Sequence, residues 1–311
     1  MELTNVKVDW NPILDNYISH LEEVYPDIPI RESYGYIIEN LNENHIPSRI
    51  VLQGNDVAAY AYLLENPDLQ DRLYAYVGFM SENFYKKERM ENLVTWAENS
   101  ARNRKRIVVI NDVFNGGTES ENFLIEKKYE KIERYGMKLN LKEATNLDEK
   151  FPVEFMTGDL SDFNLEEFLN EEYEAYRDTP DFFLFHGLEK NKGKEFIRKI
   201  FSGMYGEVLN RPSILIRHKN QLAGACIITD GFQSSRKKVP LVADIFVKKE
   251  YRGNGLATGM LSRSISALRD MNYGELSLWA TVGNPAISIY ENLGFVKNRN
   301  QTEISFIRKI F

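Results

Sequence analysis

The chain predicts an α/β (α+β) fold built as two tandem halves, and three observations carry that expectation. The order of apolar-patterned elements in the first half recurs in the second. A length of 311 residues allows one large domain or two of ordinary size. The segment Lys142 to Lys150 is polar and weakly apolar, as a boundary would be. A recurring order of elements argues for domains better than length does. The expected domains are therefore 1–145 and 146–311.

In the first half, Ile13, Leu14, Tyr17, Ile18, Leu21 and Val24 fall at helical spacing. Tyr34 to Leu41 reads as a second helix. Arg49 to Leu52 and Val57 to Leu64 read as strands around a Gly54-Asn55-Asp56 hairpin turn. Leu73 to Phe79 is a third strand, Glu88 to Ala101 a helix, and Ile107 to Val113 a buried strand. A short helix carries Phe123-Leu124-Ile125, and Tyr129 to Leu141 supplies the final strands around Gly136.

The second half repeats that order. Phe163 to Tyr176 and Phe196 to Leu209 are expected helices. Ser213 to Arg217 and Leu222 to Thr229 form a hairpin across Lys219-Asn220. Pro240 to Val247 is the third strand, Leu256 to Met271 the helix and Leu276 to Ala280 the next strand. Ala286 to Asn292 is a short helix, and Glu303 to Ile307 the last strand.

The stretch Val239 to Phe295 carries the chemical signal. A buried strand with Asp244 is followed by Arg252-Gly253-Asn254-Gly255-Leu256-Ala257, which opens a helix. Gly253 and Gly255 leave the backbone N–H groups approachable, and the helix N-terminus favours anions. A phosphate-bearing cofactor is the natural occupant. A dinucleotide fingerprint fails on spacing, because Thr258 stands where its third glycine belongs. A P-loop needs a Gly-Lys-Ser/Thr ending that is missing. An ordinary glycine turn competes on equal terms if the glycines are taken alone.

With Arg252, Gly255 and Ala257 directly after a strand, Asn284-Pro285-Ala286 and Tyr290 downstream, and Leu293-Gly294-Phe295 beyond, the region resembles the GNAT family of acyl-CoA-dependent N-acetyltransferases. The likeness is clear over about Pro212 to Phe311 and weaker elsewhere. It implies that each half is a mixed, mostly antiparallel central sheet flanked by helices. It implies acetyl-CoA as acyl donor and an amine as acceptor. It places the diphosphate at Arg252, Gly253, Asn254, Gly255, Leu256, Ala257 and Thr258. It also assigns Asn284 and Tyr290 to a second cofactor-facing helix, and gives the pantetheine arm the free backbone groups of Ile245, Phe246 and Val247.

Acyl transfer from a thioester needs a neutral amine, a donor for the oxyanion and a proton for the leaving thiolate. A backbone N–H on the third strand serves the oxyanion. Asp244, an acid in an apolar strand, is the candidate base or amine-orienting group, acting through a water; a paired or solvated aspartate is the plainer alternative. Tyr290, with a reference pKa near ~10 against ~8.5 for a thiol, is the candidate acid, and a core tyrosine its alternative. Arg252 adds charge or braces the loop. Thr258 donates a hydroxyl or caps the helix. Asn284 bonds the pantetheine, caps its helix, or does both. Asp178, Asp181 and His186 lie in an aromatic segment, Phe182 to Gly187, where the family meets its acceptor.

The first half has Ser81 to Lys87 in place of the glycine loop. Phe84 and Tyr85 there obstruct backbone approach to phosphates, which resembles a degenerate repeat without coenzyme A binding, left with a structural or substrate-shaping role.

Composition narrows the rest. Hydrophobic residues at 43% and charged residues at 27% suit a globular protein. The formal net charge of −7 disfavours a nucleic-acid surface; the basic run Arg102 to Arg106 reads as a solvated helix end. No apolar run reaches spanning length and Met1 to Thr4 has no signal-peptide character, so no membrane partner and a cytoplasmic site are expected. The single cysteine, Cys226, reads as a buried structural thiol. His20, His45, His186 and His218 are scattered, so no metal is expected. A homodimer is left open. A non-catalytic acyl-CoA-binding regulatory module and an amino-sugar or aminoacyl transferase stand as rival readings.

Overall fold

The computed structural model describes residues 3–4, 8–25, 29–67, 69–186, 189–231 and 239–310. Gly187, expected near the acceptor, and Met1-Glu2 lie outside them. The chain forms two compact units, Met1–Glu133 with Glu303–Phe311, and Arg134–Thr302.

The first unit opens with β1 (Leu3–Thr4), α1 (Trp10–Val24) and α2 (Ile30–Asn42). Asp9 caps α1 by accepting from the Asn11 N–H at 3.0 Å. Then come β2 (Ser48–Gln53), β3 (Asp56–Glu65), β4 (Arg72–Phe79), α3 (Lys87–Arg102), β5 (Ile107–Asn111) and α4 (Gly117–Glu126). Strands β1 to β4 run antiparallel to their neighbours, and β4 pairs with β5 in parallel across α3. Leu93, Val94, Ala97 and Ala101 on one stripe of α3 bury against Ala75, Val77, Val108 and Ile110.

The second unit contains most of β6 (Glu130–Asn140), then β7 (Phe155–Gly158), α5 (Leu165–Tyr176), α6 (Phe182–Phe185), α7 (Lys190–Arg198), β8 (Ile214–His218) and β9 (Gln221–Thr229). It continues through β10 (Leu241–Val247), α8 (Leu256–Asp270), β11 (Glu275–Thr281), α9 (Ile287–Asn292) and the start of β12 (Val296–Arg308). Its sheet runs β6-β11-β10-β9-β8-β7, antiparallel except at β10–β11. The β8–β9 hairpin turns at Lys219 and Asn220, both at positive φ (49° and 66°), where a two-residue turn was expected. Met260, Leu261, Ile265 and Leu268 on α8 bury against Ile216, Ile228, Leu276 and Leu278.

The sheets are mixed and mostly antiparallel with flanking helices, the expected class. The units are not cut at one point, however. Residues 134–140 of β6, expected to finish the first half, pair with β11 from Arg134↔Thr281 to Asn140↔Glu275. The end of β12, expected to finish the second half, pairs with β5 from Ser305↔Asn111 to Arg308↔Val108. The apolar alternation of a strand names its buried face and not its partner. Strand β7 was not anticipated, and the helix expected over 196–209 ends in a single turn, Lys199–Ser202, closed by Gly203 at φ 92°. Among the described residues, no helix is long and apolar enough to cross a membrane.

Candidate active site

The glycine loop is built from the end of β10 to the first turn of α8. Gly253 and Gly255 adopt φ values of 82° and 74°, a region that residues with a Cβ rarely enter. A Cβ at either position would meet nothing within 4 Å, so the face above them is open. Gly255 is the N-cap of α8 and offers no side chain to its helix. Among the described residues, no protein group accepts from the backbone N–H groups of Gly253, Asn254, Gly255, Leu256, Ala257 or Thr258. The first internal bond is Gly259 N–H to the Gly255 carbonyl at 2.9 Å. A run of unmet N–H groups at a helix start is a site for an anion.

The loop is held from behind. Arg252 donates from Nε to the Val247 carbonyl at 3.0 Å and from Nη2 to the Ala175 carbonyl at 2.7 Å. It braces the loop to β10 and α5. The Asn254 amide donates to the Tyr251 carbonyl at 3.0 Å. Thr258 sits half-buried in the first turn of α8.

Strand β10 departs from β11 beside this loop. The parallel ladder holds at Leu241↔Ser277 and does not continue along the described part of β10. On its other edge β10 stays paired to β9 as far as Val247↔Gly224. Lys248 N–H bonds the Ala223 carbonyl at 2.9 Å, so alternation turns the Phe246 groups toward β9 as well. The backbone edges of Ile245 and Val247 face the gap. Phe246 therefore packs as a core residue, with its ring 5.4 Å from Phe168, and its backbone is not free as expected.

Asp244 is 6% exposed. Its Oδ1 accepts from the Tyr176 hydroxyl at 2.8 Å, and its Oδ2 has no partner. Burial, and then the nearby Glu172, push its pKa well above the usual carboxylate range; the bond from Tyr176 opposes that shift. Glu172 is itself buried and pushed up by burial, with Oε1 2.6 Å from His186 Nε2.

Tyr290 is 6% exposed on α9, and no described protein group hydrogen-bonds its hydroxyl. Burial, followed by the proximity of Cys226, Asp181 and Asp244, pushes its pKa up, so it stays protonated. The structure thus brings Tyr290 and Asp244 into one electrostatic neighbourhood. Cys226 is buried, with its thiol pushed up to about 12 by burial, as suits a structural residue. Asn284 Oδ1 accepts from Ala286 N–H at 2.9 Å and caps the turn into α9, while its amide donates to Asp181 Oδ2 at 3.2 Å. Asp181 also accepts from the Thr281 hydroxyl. Asp178 is instead exposed and pairs with Lys249 at 2.6 Å. Among the described residues, no three His, Cys, Asp or Glu side chains are grouped to hold a metal.

Sequence reasoning missed Glu172 and Tyr176. One signal was present: Phe168, Leu169, Glu172 and Tyr173 share the buried stripe of α5, and a glutamate on such a stripe calls for a partner.

Residues 164–295 match the pattern of the acetyltransferase (GNAT) family. A curated relative, N-alpha-acetyltransferase MAK3 of Arabidopsis thaliana, is 34% identical over 83 residues, or 26% of this chain. The chain spans 42% of the length of that relative. Among solved structures, a GCN5-related N-acetyltransferase from Sphaerobacter thermophilus aligns over 99% of this chain and 95% of its own, with a TM-score of 0.57 and 15% identity. A functionally unknown conserved protein from Staphylococcus epidermidis aligns over 86% of this chain and 97% of its own, with a TM-score of 0.53 and 14% identity. At those identities the likeness is one of fold.

Proposed function

From the match of residues 164–295 to the acetyltransferase (GNAT) family, we propose that the chain transfers an acetyl group from acetyl-CoA to a primary amine of a small molecule or peptide. One observation carries the reading: the unmet N–H groups from Gly253 to Thr258 lie open, directly beside the strand edge where β10 leaves β11. A diphosphate fits the N–H groups and the helix dipole. An extended amide-bearing arm fits the edge that β10 turns away from β9 at Ile245 and Val247, as an added strand would.

Acetyl-CoA, when bound, supplies the activated acyl thioester. The chain supplies the rest. A backbone N–H on β10 stabilises negative charge on the acyl oxygen. Asp244 accepts the proton of the acceptor ammonium, directly or through a water, once its own carboxyl is ionised. A raised pKa makes it the stronger base in that state. The Tyr290 hydroxyl, which no described protein group engages, returns a proton to the departing sulfur. Arg252 and Asn284 shape the site from behind. The first unit binds no coenzyme A.

The test has two parts. Calorimetry with acetyl-CoA should give one bound equivalent per chain. Mass spectrometry over a panel of polyamines, amino sugars, amino acids and peptide N-termini should then show acetyl transfer to at least one. Two equivalents of coenzyme A, or none, would contradict the assignment of the loop. Binding without transfer to any of the panel would favour a non-catalytic acyl-CoA-binding module.

A further inference from the structure

We propose that Glu172, Tyr176 and His186 are positioning residues for the acceptor chemistry: they hold the Asp244 carboxyl in place and set the pH at which it can take a proton. The inference rests on the reading of Asp244 given above.

The geometry is a chain of buried contacts. Tyr176 stands one helical turn after Glu172 on α5, so the two side chains share a face. Its hydroxyl lies 2.8 Å from Asp244 Oδ1 and 3.3 Å from the Ile245 carbonyl. It has one proton to give, and the shorter contact, to the carboxyl, takes it. Glu172 is 1% exposed and His186 is fully buried, and they meet at 2.6 Å. The imidazole is wedged: it stacks on Phe182 with centroids 5.4 Å apart, and lies 5.0 Å from the Tyr176 ring. A Cβ on Gly193 of α7 would stand 2.0 Å from the His186 carbonyl oxygen, so the segment is clamped from its other side.

Two buried oxygens of this cluster remain unengaged, Asp244 Oδ2 and Glu172 Oε2. A buried oxygen without a partner is costly, and a proton or a water relieves it. Asp244 Oδ2 is therefore where the proton of the acceptor arrives. An N–H bond of the ammonium breaks, an O–H bond forms on Asp244, and the amine is left neutral with its lone pair free. The groups that face Asp244 are Glu172 and Tyr176 from α5, His186 at the end of α6, Cys226 from β9 and Tyr290 from α9, with Asp181 beyond them beside Tyr176 and Tyr290. Glu172 opposes ionisation of Asp244; Tyr176 and His186 favour it. Cys226 and Tyr290 stay neutral, because both are pushed up by burial.

The two neighbours on α5 thus act with opposite sign, which a merely structural role would not produce. The experiment compares wild type, Glu172→Gln and Tyr176→Phe, each close to isosteric. Aspartate side-chain carboxyls are labelled with carbon-13 and titrated by NMR, with Asp244→Asn identifying the resonance. The acid limb of kcat/KM is followed in parallel for an amine that the wild type acetylates. Glu172→Gln should move the Asp244 midpoint and the limb to lower pH, and Tyr176→Phe to higher pH, each by about one pH unit. Midpoints that stay at the wild-type value, or that move in the same direction, overturn the proposal. Opposite NMR shifts in a chain that acetylates nothing would uphold the coupling and sink the reaction; unmoved midpoints in an active enzyme would do the reverse.

Discussion

The same arrangement of strand, helix and strand occurs in both units, and one of the two is zipped shut. In the first unit β4 and β5 pair over four steps, from Arg72↔Ile107 to Ala75↔Ile110. The contact then continues: Phe114 N–H bonds the Val77 carbonyl at 3.2 Å, Phe79 N–H bonds the Phe114 carbonyl at 2.9 Å, and the Asn115 amide donates to the Phe79 carbonyl at 2.9 Å. In the second unit the corresponding ladder stops at Leu241↔Ser277. The helix entries differ in the same sense. Gly255 caps α8 in a left-handed conformation under open space, whereas Lys86 caps α3 in an extended one at φ −145°. The Phe84 carbonyl next to that entry is taken by buried Arg89 at 2.8 Å.

The last helices complete the contrast. Phe295 N–H bonds the Tyr290 carbonyl at 3.0 Å, after Gly294 at φ 98°. Tyr129 N–H bonds the Leu124 carbonyl at 3.0 Å, after Lys128 at φ 67°. By this shared pattern Leu124 occupies the place of Tyr290, and the first unit has no hydroxyl there. A strand gap, a left-handed glycine entry to the helix and a hydroxyl are thus present together in one unit and missing together from the other. Three independent features that vary as a set point to one ligand requirement.

Each feature can be removed from the second unit singly. The largest effect is expected for Tyr290→Phe, which makes the site resemble the first unit in chemistry alone. Steady-state kinetics should show kcat lower by about a hundredfold, the low end for a positioned acid, with coenzyme A affinity little changed. Full turnover with a good acceptor would remove Tyr290 from the mechanism. Next is Gly255→Val. A β-branched residue at φ 74° is strained by about 1–3 kcal/mol, and its side chain would enter the open face. Calorimetry should show coenzyme A affinity reduced by about tenfold to a hundredfold, and an unaltered Kd would discredit the loop. Arg252→Ala is expected to be milder, raising Kd by about fivefold through a looser loop. It removes two bonds to backbone carbonyls and no direct contact with the anion. A loss as large as that of Gly255→Val would mean that Arg252 holds the phosphate itself.

The sequence makes local geometry legible and long-range pairing illegible. Gly253, Gly255, Asn284 and Tyr290 stand out because their meaning lies in spacings of a few residues. The pairing of the Phe246 backbone with β9 follows the register shift between Val242 and Asp244, which the alternation of residues does not reveal. Tyr176 meets Asp244 across 68 residues, and Asn284 meets Asp181 across 103; neither pairing shows in the sequence, where Tyr176 is an ordinary amphipathic position. The exchange of residues 134–140 and 303–308 between the units is hidden for the same reason. Either strand satisfies the pattern of both sheets, and only the pairing tells them apart.

The smallest expected effect concerns stability and separates function from packing at Asp244. Its folded pKa lies above its unfolded value, so burial favours the protonated form. The contribution of the carboxyl is fully present below the unfolded pKa of about 4, and is lost as pH rises toward the folded value. Above that range the ionised group is a net strain on the fold. Asp244→Asn removes the titration and keeps an oxygen for the Tyr176 hydroxyl. Its Tm should therefore exceed that of the wild type by about 2–4 °C at pH 8, the shift that roughly 1 kcal/mol gives in a unit of this size. Near pH 4 the difference should vanish, while acetyl transfer is lost at every pH. A residue that costs stability where the enzyme works is retained for its chemistry. A destabilised Asp244→Asn with intact transfer would return Asp244 to the role of a core hydrogen-bond acceptor.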